Sequence, residues 1–208
     1  MAKSGHDQDT RQRILEIAET QFGAKGYSGT HLQSIAEAVG VQKTALYYYF
    51  PSKSALYSAV LEQMLATFEK VSGRATEQEP SAAAIERAIE DMNDVLAQHP
   101  NFSRILIRIF VDRIDVDSSA IEPLVRRILG PLLSFYADGA AKGVFRKLSS
   151  RHVLLSVLGA ATFHYAAGQS SSDILGIEDI YDPSAVEWRR NQLRELLVGG
   201  ILPRPEDD

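Results

Sequence analysis

Apolar residues recur at helical spacing along almost the whole chain, and the pattern is clearest over residues 30–50. Two short helices are predicted there, separated by Gly40, whose left-handed backbone can end the first of them. The buried face of the first helix would consist of Leu32, Ile35, Ala36 and Val39. The buried face of the second would consist of Val41, Ala45, Leu46 and Phe50. This arrangement predicts a helix-turn-helix.

The outward face of the second helix carries hydrogen-bonding side chains and no carboxylate. Its members are Gln42, Lys43, Thr44, Tyr47 and Tyr48, with Tyr49 at the margin. Three consecutive tyrosines cannot all point inward, because successive helical residues turn by about 100°. The alternative for any one tyrosine is a place in the core. A short helix with such a face suits docking in the major groove of DNA.

Individual roles follow from side-chain chemistry. Gln42 and Lys43 are candidates for base contacts, because Gln suits the adenine edge and Lys the guanine edge. Lys53, at the start of the next helix, is a candidate for phosphate contact, since helix N–H groups there also favour an anion. The alternative for each lysine is an ordinary solvated side chain. Thr30, with Gln33 three residues later, predicts a capping box, with phosphate contact as a secondary role, and His31 could face the DNA backbone.

The remaining sequence predicts an all-α chain of about nine helices, because no segment shows the alternation of a strand. Residues 1–8 are expected to form a disordered tail. A first helix is expected to follow over residues 8–25 and to end at Gly26. Gly130 and Pro131 are expected to kink or split the seventh helix. The other helices are expected over residues 52–71, 81–99, 101–114, 120–141, 151–168 and 183–198. Breaks are expected at 115–119 and 169–180.

The polar segment 72–80 and the helix before it are expected to join two domains. The predicted boundaries are 9–55 for the three-helix DNA-binding domain, with its helix-turn-helix at 31–50, and 56–203 for a larger helical domain. A short tail follows at 204–208. The helix from Ser52 to about Val71 would be about 30 Å long at ~1.5 Å per residue. It could therefore carry a signal between the two domains.

The composition excludes several kinds of site and segment. The 208 residues include no Cys, so a disulfide, a thiolate nucleophile and a Cys-based zinc site are excluded. The N-terminal residues lack the apolar stretch of a signal peptide, and no run approaches the ~20 apolar residues of a membrane-spanning helix. We therefore expect a cytoplasmic protein without a membrane partner.

Charge gives only modest support for a nucleic-acid partner. The net charge is −5, yet residues 1–60 hold six Lys and Arg against five Asp and Glu. Because screening limits phosphate attraction to about 8 Å at cellular salt, the local placement of cations matters more than the total. The net acidity also leaves open an alternative, a helical protein-interaction module that does not bind DNA.

Five short motifs resemble the N-terminal domain of TetR-family transcriptional regulators, without a gap from about Arg13 to Val60. They are residues 26–30 (GYSGT), 35–36 (IA), 38–41 (AVGV), 46–50 (LYYYF) and 52–53 (SK). The resemblance implies a homodimeric, sequence-specific DNA-binding regulator, a repressor released from a palindromic operator by a small-molecule effector. It also implies that Tyr47 and Tyr49, and in some members the position of Tyr48, contact the DNA backbone.

Aromatic and aliphatic residues of the later helices are candidates for an effector pocket that would suit a largely apolar molecule. They are Phe68, Phe102, Ile105, Arg108, Ile109, Phe135, Tyr136, Phe163 and His164. Plain core is the alternative for the apolar ones, since aromatic residues at helical spacing usually pack inside. Arg108 could be a polar anchor in the pocket or form a surface ion pair with Asp112. His164 could belong to the core or to an interface instead.

The TetR resemblance also implies that the last two long helices mediate dimerisation. The eighth helix offers a face of small residues that allows close approach, and the ninth an apolar stripe. The candidates are Ser156, Gly159, Ala160, Phe163, Val186, Arg190, Leu193 and Leu197. The alternative is that these two faces close a core within one chain.

No catalytic, cofactor-binding or metal-binding residue is expected. None of the nucleophile-elbow, zinc-protease, P-loop or dinucleotide motifs occurs in the sequence. His152 and His164 lie twelve residues apart on one predicted helix and would point roughly 120° apart, so they cannot share a metal. The sequence therefore disfavours an enzyme.

Overall fold

The computed structural model describes residues 2–111, 118–176 and 179–203, and over these ranges the chain forms nine α-helices and no strand. The N-terminal helices are α1 Ala2–Gly29, α2 Leu32–Val39, α3 Lys43–Tyr49 and α4 Lys53–Thr76. The later ones are α5 Ala82–Gln98, α6 Pro100–Val111, α7 Ser118–Ala141, α8 Ser150–Leu175 and α9 Pro183–Ile201. The prediction of an all-α fold is confirmed.

The first three helices and the start of α4 share a small hydrophobic core. Ile14, Ala18 and Phe22 of α1 are buried against the predicted apolar faces of α2 and α3. The ring of Phe22 packs edge-on against Tyr57 of α4, with 4.8 Å between ring centroids. This aromatic contact ties α4 to the N-terminal helices.

α1 differs from its predicted limits at both ends. Residues 2–8, predicted as a disordered tail, continue the helix back to Ala2. At the other end Gly26 adopts φ 73° and ψ 174°, which breaks the helix where the sequence predicted its end, but helical backbone resumes up to Gly29. A residue with a side chain rarely adopts this φ, so the break requires glycine.

α4 begins as predicted, because the Ser52 hydroxyl accepts a hydrogen bond from the N–H of Ala55 at 3.0 Å. It ends later than predicted, at Thr76 instead of about Val71. Val71 and Ala75 are both buried, so the apolar face continues into the segment that was expected to be a loop. The polar segment 72–80 therefore contributes only its last residues to the connection.

α7 and α8 are both longer than expected. α7 runs through Gly130 and Pro131 as one helix, so the predicted split is wrong. α8 continues beyond the predicted end at Gly168 to Leu175, with a break at Gly168 (φ 46°, ψ −125°). Most of the predicted loop 169–180 is therefore helical.

Two predictions around the end of α6 fall wholly or partly outside the described residues. α6 is seen as far as Val111, and Asp112 and most of the break expected at 115–119 lie in the undescribed stretch 112–117. None of the described helices combines the length and the apolar character needed to cross a membrane.

The larger C-terminal part is a bundle of α4 to α9, in which α9 packs on α5. Arg190 pairs with Asp94 at 2.8 Å and Arg194 with Glu90 at 3.0 Å. Leu193 is 1% exposed, and the side chain of Asn93 donates to the carbonyl of Val186. The α9 face that carries Val186, Arg190, Leu193 and Leu197 thus packs against α5 within the protomer, and its role in dimerisation stays a prediction.

The turn after α7 depends on a close contact with glycine. The ring of Phe145, itself buried, lies so near Gly139 that an added Cβ would be 2.2 Å from its Cδ2 atom. The N–H groups of Val144 and Phe145 both donate to the Gly139 carbonyl, at 2.9 and 3.1 Å. This turn seats Phe145 beside Phe135 and Tyr136 of α7.

Candidate nucleic-acid interface and effector cavity

α3 packs one face against the core and exposes the other face to solvent. Leu46 is fully buried and Phe50 is 3% exposed, so the back of the helix is fixed to the core. Gln42, Lys43 and Thr44 are exposed, and Tyr47 and Tyr48 are 43% and 76% exposed. The Lys43 ammonium lies 6.0 Å from the centre of the Tyr47 ring. The predicted outward face therefore exists as one continuous polar surface.

The turn between α2 and α3 fixes the angle of α3. Gly40 has φ 81° and ψ 31°, and its N–H donates to the carbonyl of Glu37 at 3.1 Å. The N–H of Val41 donates to the carbonyl of Ala36 at 3.0 Å, so the two bonds complete a Schellman motif. Arg13 adds a long-range bond from its guanidinium to the Val39 carbonyl at 3.1 Å.

Contacts from α1 also hold the start of α2 and the end of α3, and the sequence pattern did not reveal them. Gln21 and Ser34 exchange two hydrogen bonds, one from the Ser34 hydroxyl at 2.9 Å and one to the Ser34 carbonyl at 3.2 Å. The guanidinium of Arg11 lies 5.1 Å from the centre of the Phe50 ring. Because these partners are 13 to 39 residues apart in sequence, local spacing carries no signal for them.

Two of the predicted DNA contacts already have partners within the protein. The Tyr49 hydroxyl donates to the Asp7 carboxylate at 2.5 Å, and this bond raises the pKa of Tyr49. The Lys53 ammonium lies 4.5 Å from the centre of the Tyr27 ring and donates to the Ser28 carbonyl. Partial burial lowers the pKa of Lys53.

The prediction that Thr30 caps α2 is wrong. Its side chain is fully buried, and its hydroxyl donates to the carbonyls of Gly26 and Gln21 at 2.7 and 3.1 Å. The N-cap of α2 is His31, which makes no capping bond through its side chain and is exposed. Gln33 bonds to Glu37 instead of reaching back. The Thr30 hydroxyl therefore cannot meet a phosphate.

A cavity of about 510 Å³ lies within the C-terminal bundle, between α4, α5, α6, α7 and α8. Five of the predicted pocket residues line it, namely Phe68, Ile109, Phe135, Tyr136 and Phe163. Aliphatic residues that the sequence did not single out contribute much of the wall, among them Leu65, Leu106, Ile128, Leu132, Val157 and Leu158. Their spacing is that of any core helix, so no pattern could separate wall from core.

The other four predicted pocket residues lie outside the cavity wall. Phe102 and Ile105 are 2% and 1% exposed and belong to the packed core. Arg108 donates from its guanidinium to the carbonyl of Ala24 in α1, so it joins the two parts of the chain. Its expected partner, Asp112, lies outside the described residues. His164 packs edge-on against Tyr165.

His164 belongs to a polar cluster between α8, α5 and α9. Tyr165 is fully buried and donates to the Asn93 side chain at 3.0 Å. Arg189 donates to the carbonyl of Ala160 at 2.6 Å. Burial and the nearby Arg189 guanidinium lower the pKa of His164 to about 4, so this histidine is neutral near pH 7.

The outward faces of α8 and α9 expose large apolar residues. On α8, Leu155 and Phe163 are 59% and 66% exposed, and Ser156 and Gly159 between them are also exposed. On α9, Trp188 and Leu196 are 60% and 68% exposed and lie outside the face that packs on α5. Among the described residues, no group of three or more His, Asp or Glu side chains could hold a metal ion.

Two family models together match most of the chain. The model described as "Bacterial regulatory proteins, tetR family" matches residues 14–60, which include α2, α3 and their turn. The model described as "Tetracyclin repressor-like, C-terminal domain" matches residues 82–197, more than half of the 208 residues. The match therefore extends well beyond the N-terminal motifs.

Characterised relatives align over almost their whole length. The HTH-type transcriptional regulator RutR of Escherichia coli K12 is 27% identical over 194 residues, 93% of this chain and 91% of RutR. The HTH-type transcriptional repressor NicS of Pseudomonas putida is 24% identical over 183 residues, 86% of each chain. The crystal structure of AibR with isovaleryl coenzyme A and operator DNA has the same fold, with a TM-score of 0.72, 18% identity, and coverage of 91% of this chain and 98% of AibR.

Proposed function

Because the chain belongs to the TetR family of DNA-binding transcriptional regulators, we propose that it acts as a homodimeric repressor with α3 as its recognition helix. Each of two copies would place α3 in a major groove of a palindromic operator, with half-sites about 34–36 Å apart. The supporting observation is the exposed polar face of α3, from Gln42 to Tyr48, over a buried Leu46.

Roles on this surface follow from exposure and chemistry. Gln42 and Lys43, at the start of α3, contact base edges, with Thr44 beside them. The hydroxyls of Tyr47 and Tyr48 contact phosphates, and Lys53 adds charge next to the N-terminus of α4. Tyr49 and His31 lie at the margin of this surface and contribute backbone contacts.

The dimer forms through the exposed faces of α8 and α9. Leu155 and Phe163 on α8 and Trp188 and Leu196 on α9 are large apolar side chains that a monomer would leave in water. Ser156, Gly159 and Ala160 between the α8 residues allow a partner helix to approach closely. Residues 9–55 then act as the DNA-binding domain, and residues 56–203 as the effector-binding and dimerisation domain.

The cavity receives a small effector that releases DNA. Such a ligand acts only if it binds the DNA-free conformation more tightly than the DNA-competent one. α4 connects the two sites, because Lys53 at its start lies beside the DNA-binding surface and Leu65, Phe68 and Val71 further along line the cavity. We propose binding without chemical transformation, and action on operator DNA in the cytoplasm.

A pair of variants tests the assignment of contacts. Gln42→Ala should change base preference at one position of each half-site, by about 1–3 kcal/mol of discrimination. Lys53→Ala should weaken binding by a similar factor on all sequences and reduce its salt dependence, because a phosphate contact carries no sequence information. The measurement is binding to a randomised operator library at several salt concentrations.

The control is Lys70→Ala, a lysine of α4 outside the proposed surface, which should leave DNA binding unchanged. Equal losses on every sequence from both Gln42→Ala and Lys53→Ala would refute the division between base and phosphate contacts. A purified dimer that shows no salt-sensitive binding to the DNA upstream of its own gene would refute the proposed function.

A further inference from the structure

The cavity wall is almost wholly hydrocarbon. No charged side chain is present among the described residues that line it. Four hydroxyl-bearing residues do line it, and three of them donate to carbonyls of the protein. Thr162 donates to Leu158 at 2.6 Å, Tyr136 to Arg146 at 2.9 Å, and Ser72 to Glu69 at 3.2 Å. The interior therefore offers little to compensate a buried polar group of a ligand.

A charged group inside this cavity would be especially unfavourable. The free energy of transferring an ion from water to an apolar site is strongly unfavourable when no partner of opposite charge is present. A small heterocycle with several donors and acceptors would also lose its hydrogen bonds to water on entry. The wall thus selects for ligands whose buried part is hydrocarbon.

The cavity is long as well as apolar. Its wall extends along α8 from Ser150 to Phe163, about 20 Å at ~1.5 Å per residue. Along α4 it extends from Leu65 to Ala75, about 15 Å by the same rise. A compact molecule would leave much of this length unfilled, whereas an extended chain would contact the wall throughout.

Among the described residues, one side of the cavity opens to solvent at the end of α6. Two wall residues there, Phe110 and Val111, are each more than half exposed and lie outside the α8 and α9 faces that are proposed to pair in the dimer. By contrast, Phe68, Ile128 and Phe135 of the wall are nearly inaccessible to solvent. A ligand can therefore keep its polar end in water at this opening while its apolar part occupies the interior.

We propose that the effector is an alkyl or acyl compound whose hydrocarbon chain fills the cavity and whose polar end remains at the opening. This inference rests on the proposed function, since it names the chemical class of the effector for the same cavity. It follows from the uncharged wall, the occupied hydroxyl donors, the length and the exposed apolar rim.

The test is a titration of the full-length protein with 1-alkanols from hexanol to dodecanol and with the matching n-alkanoates. The Kd, measured by isothermal titration calorimetry, should fall about fourfold for each added methylene until the cavity is full, which corresponds to about 0.8 kcal/mol per buried CH₂. Alkanols and alkanoates of equal length should bind within tenfold of each other, because the polar end stays in water.

An affinity that does not depend on chain length, or no binding at all, would overturn the inference. A large preference for the alkanol over the alkanoate would place the polar end inside and contradict the proposed orientation. The melting temperature should rise with the longer chains, because a ligand of the native state stabilises it by mass action.

Two substitutions and a control locate the binding. Leu132→Trp should fill part of the cavity and abolish chain binding, whereas Ile174→Trp, at an exposed position outside the wall, should leave it unchanged. Thr162→Val should keep or improve the affinity, since its hydroxyl is already bonded to Leu158. A tenfold loss in Thr162→Val would show that the hydroxyl recognises the ligand and would refute the apolar assignment.

The outcomes separate this inference from the proposed function. DNA binding without any binding of the chain compounds would refute only the effector class. Chain binding by a protein that never binds DNA would refute the proposed function and leave the cavity assignment standing. If Leu132→Trp does not fold, Thr162→Val and the chain-length series still decide the question.

Discussion

At the scale of single residues, a carboxylate lies beside the proposed DNA-binding surface. Asp7 accepts the hydroxyl hydrogen bond of Tyr49 at 2.5 Å, which places a carboxylate beside a residue expected to face phosphates. A negative charge there opposes DNA binding through space, and within a few ångströms salt screens this effect only in part. The hydrogen bond also occupies Tyr49 in the free protein.

We expect Asp7→Asn to bind DNA more tightly than the parent protein, by about two- to tenfold at low salt, with a smaller gain at high salt. The measurement is fluorescence anisotropy with operator DNA over a salt series. Asp9→Asn is the matched control, because residue 9 lies about 200° further around α1 and should change the affinity less. If both variants gained the same affinity for DNA, the effect would come from net charge and not from the position of Asp7.

His164 gives a prediction for the dependence of stability on pH. Its pKa is about 4 in the folded protein against 6.5 in the unfolded chain, so only the unfolded chain binds this proton between those values. The free energy of unfolding should therefore fall as the pH is lowered from about 6.5 towards 4. His164→Gln should reduce this slope in urea unfolding, and His152→Gln, at an exposed position, should not. Identical slopes in all three proteins would contradict the burial argument.

At the scale of helices and turns, the sequence predicted which faces of α2 and α3 are covered but not which side of α9 packs on α5. α9 has apolar residues on two sides, Val186, Leu193 and Leu197 on one and Trp188 and Leu196 on the other. Periodicity cannot decide which side meets α5, and the ion pair between Arg190 and Asp94 involves partners 96 residues apart. The side predicted to face a partner copy is therefore the side that packs on α5 within one chain.

Local patterns were reliable where the partner is also local. α4 and α5 begin close to the predicted residues 52 and 81, where Ser52 and Ser81 act as caps, and Gly40 ends α2 as predicted, because each feature involves atoms within a few residues. The Thr30 capping box failed because the break at Gly26 leaves a carbonyl free, and the Thr30 hydroxyl bonds to it. Five of the nine predicted pocket residues line the cavity and the others do not, because large apolar residues line cavities and cores alike.

Two glycines of α7 make a matched test of packing. Gly139→Ala should destabilise the protein by about 1–3 kcal/mol, because its Cβ would collide with the Phe145 ring. Gly130→Ala should be neutral or stabilising by up to ~1 kcal/mol, since a Cβ there meets no atom within 4 Å and alanine favours the helix. Urea unfolding measures both, and similar values for the two would contradict the close contact at Gly139.

At the scale of the whole molecule, α8 and α9 carry half of the large exposed apolar residues of the described chain. Several lie on the α8 face that also borders the cavity, with Leu155 and Phe163 common to both. A second copy that covers this face would therefore lie next to the opening through which the effector enters. Dimerisation and effector binding would then influence each other's free energy.

The dimer predicts a specific effect of charge on α9. Leu196→Glu should weaken self-association by about 30-fold or more, because it places an unpaired carboxylate in an apolar interface, where central residues contribute about 2 kcal/mol or more. Ile174→Glu, at an equally exposed apolar position of α8 beyond the Gly168 break, is the control. Sedimentation velocity measures both proteins, and an unchanged dimer of Leu196→Glu would exclude this face.

α4 is one unbroken rod from Lys53 to Thr76, and its length gives a mechanical advantage. If the part of α4 that lines the cavity stays fixed, the remaining part, from Leu65 back to Lys53, is about 18 Å long at ~1.5 Å per residue. A tilt of about 10° would displace the far end by about 3 Å, and two symmetric arms would change the span between them by about twice that. A bound molecule that widens the bundle by less than one atomic diameter could thus change the distance between the two α3 helices enough that they no longer match two consecutive turns of a duplex.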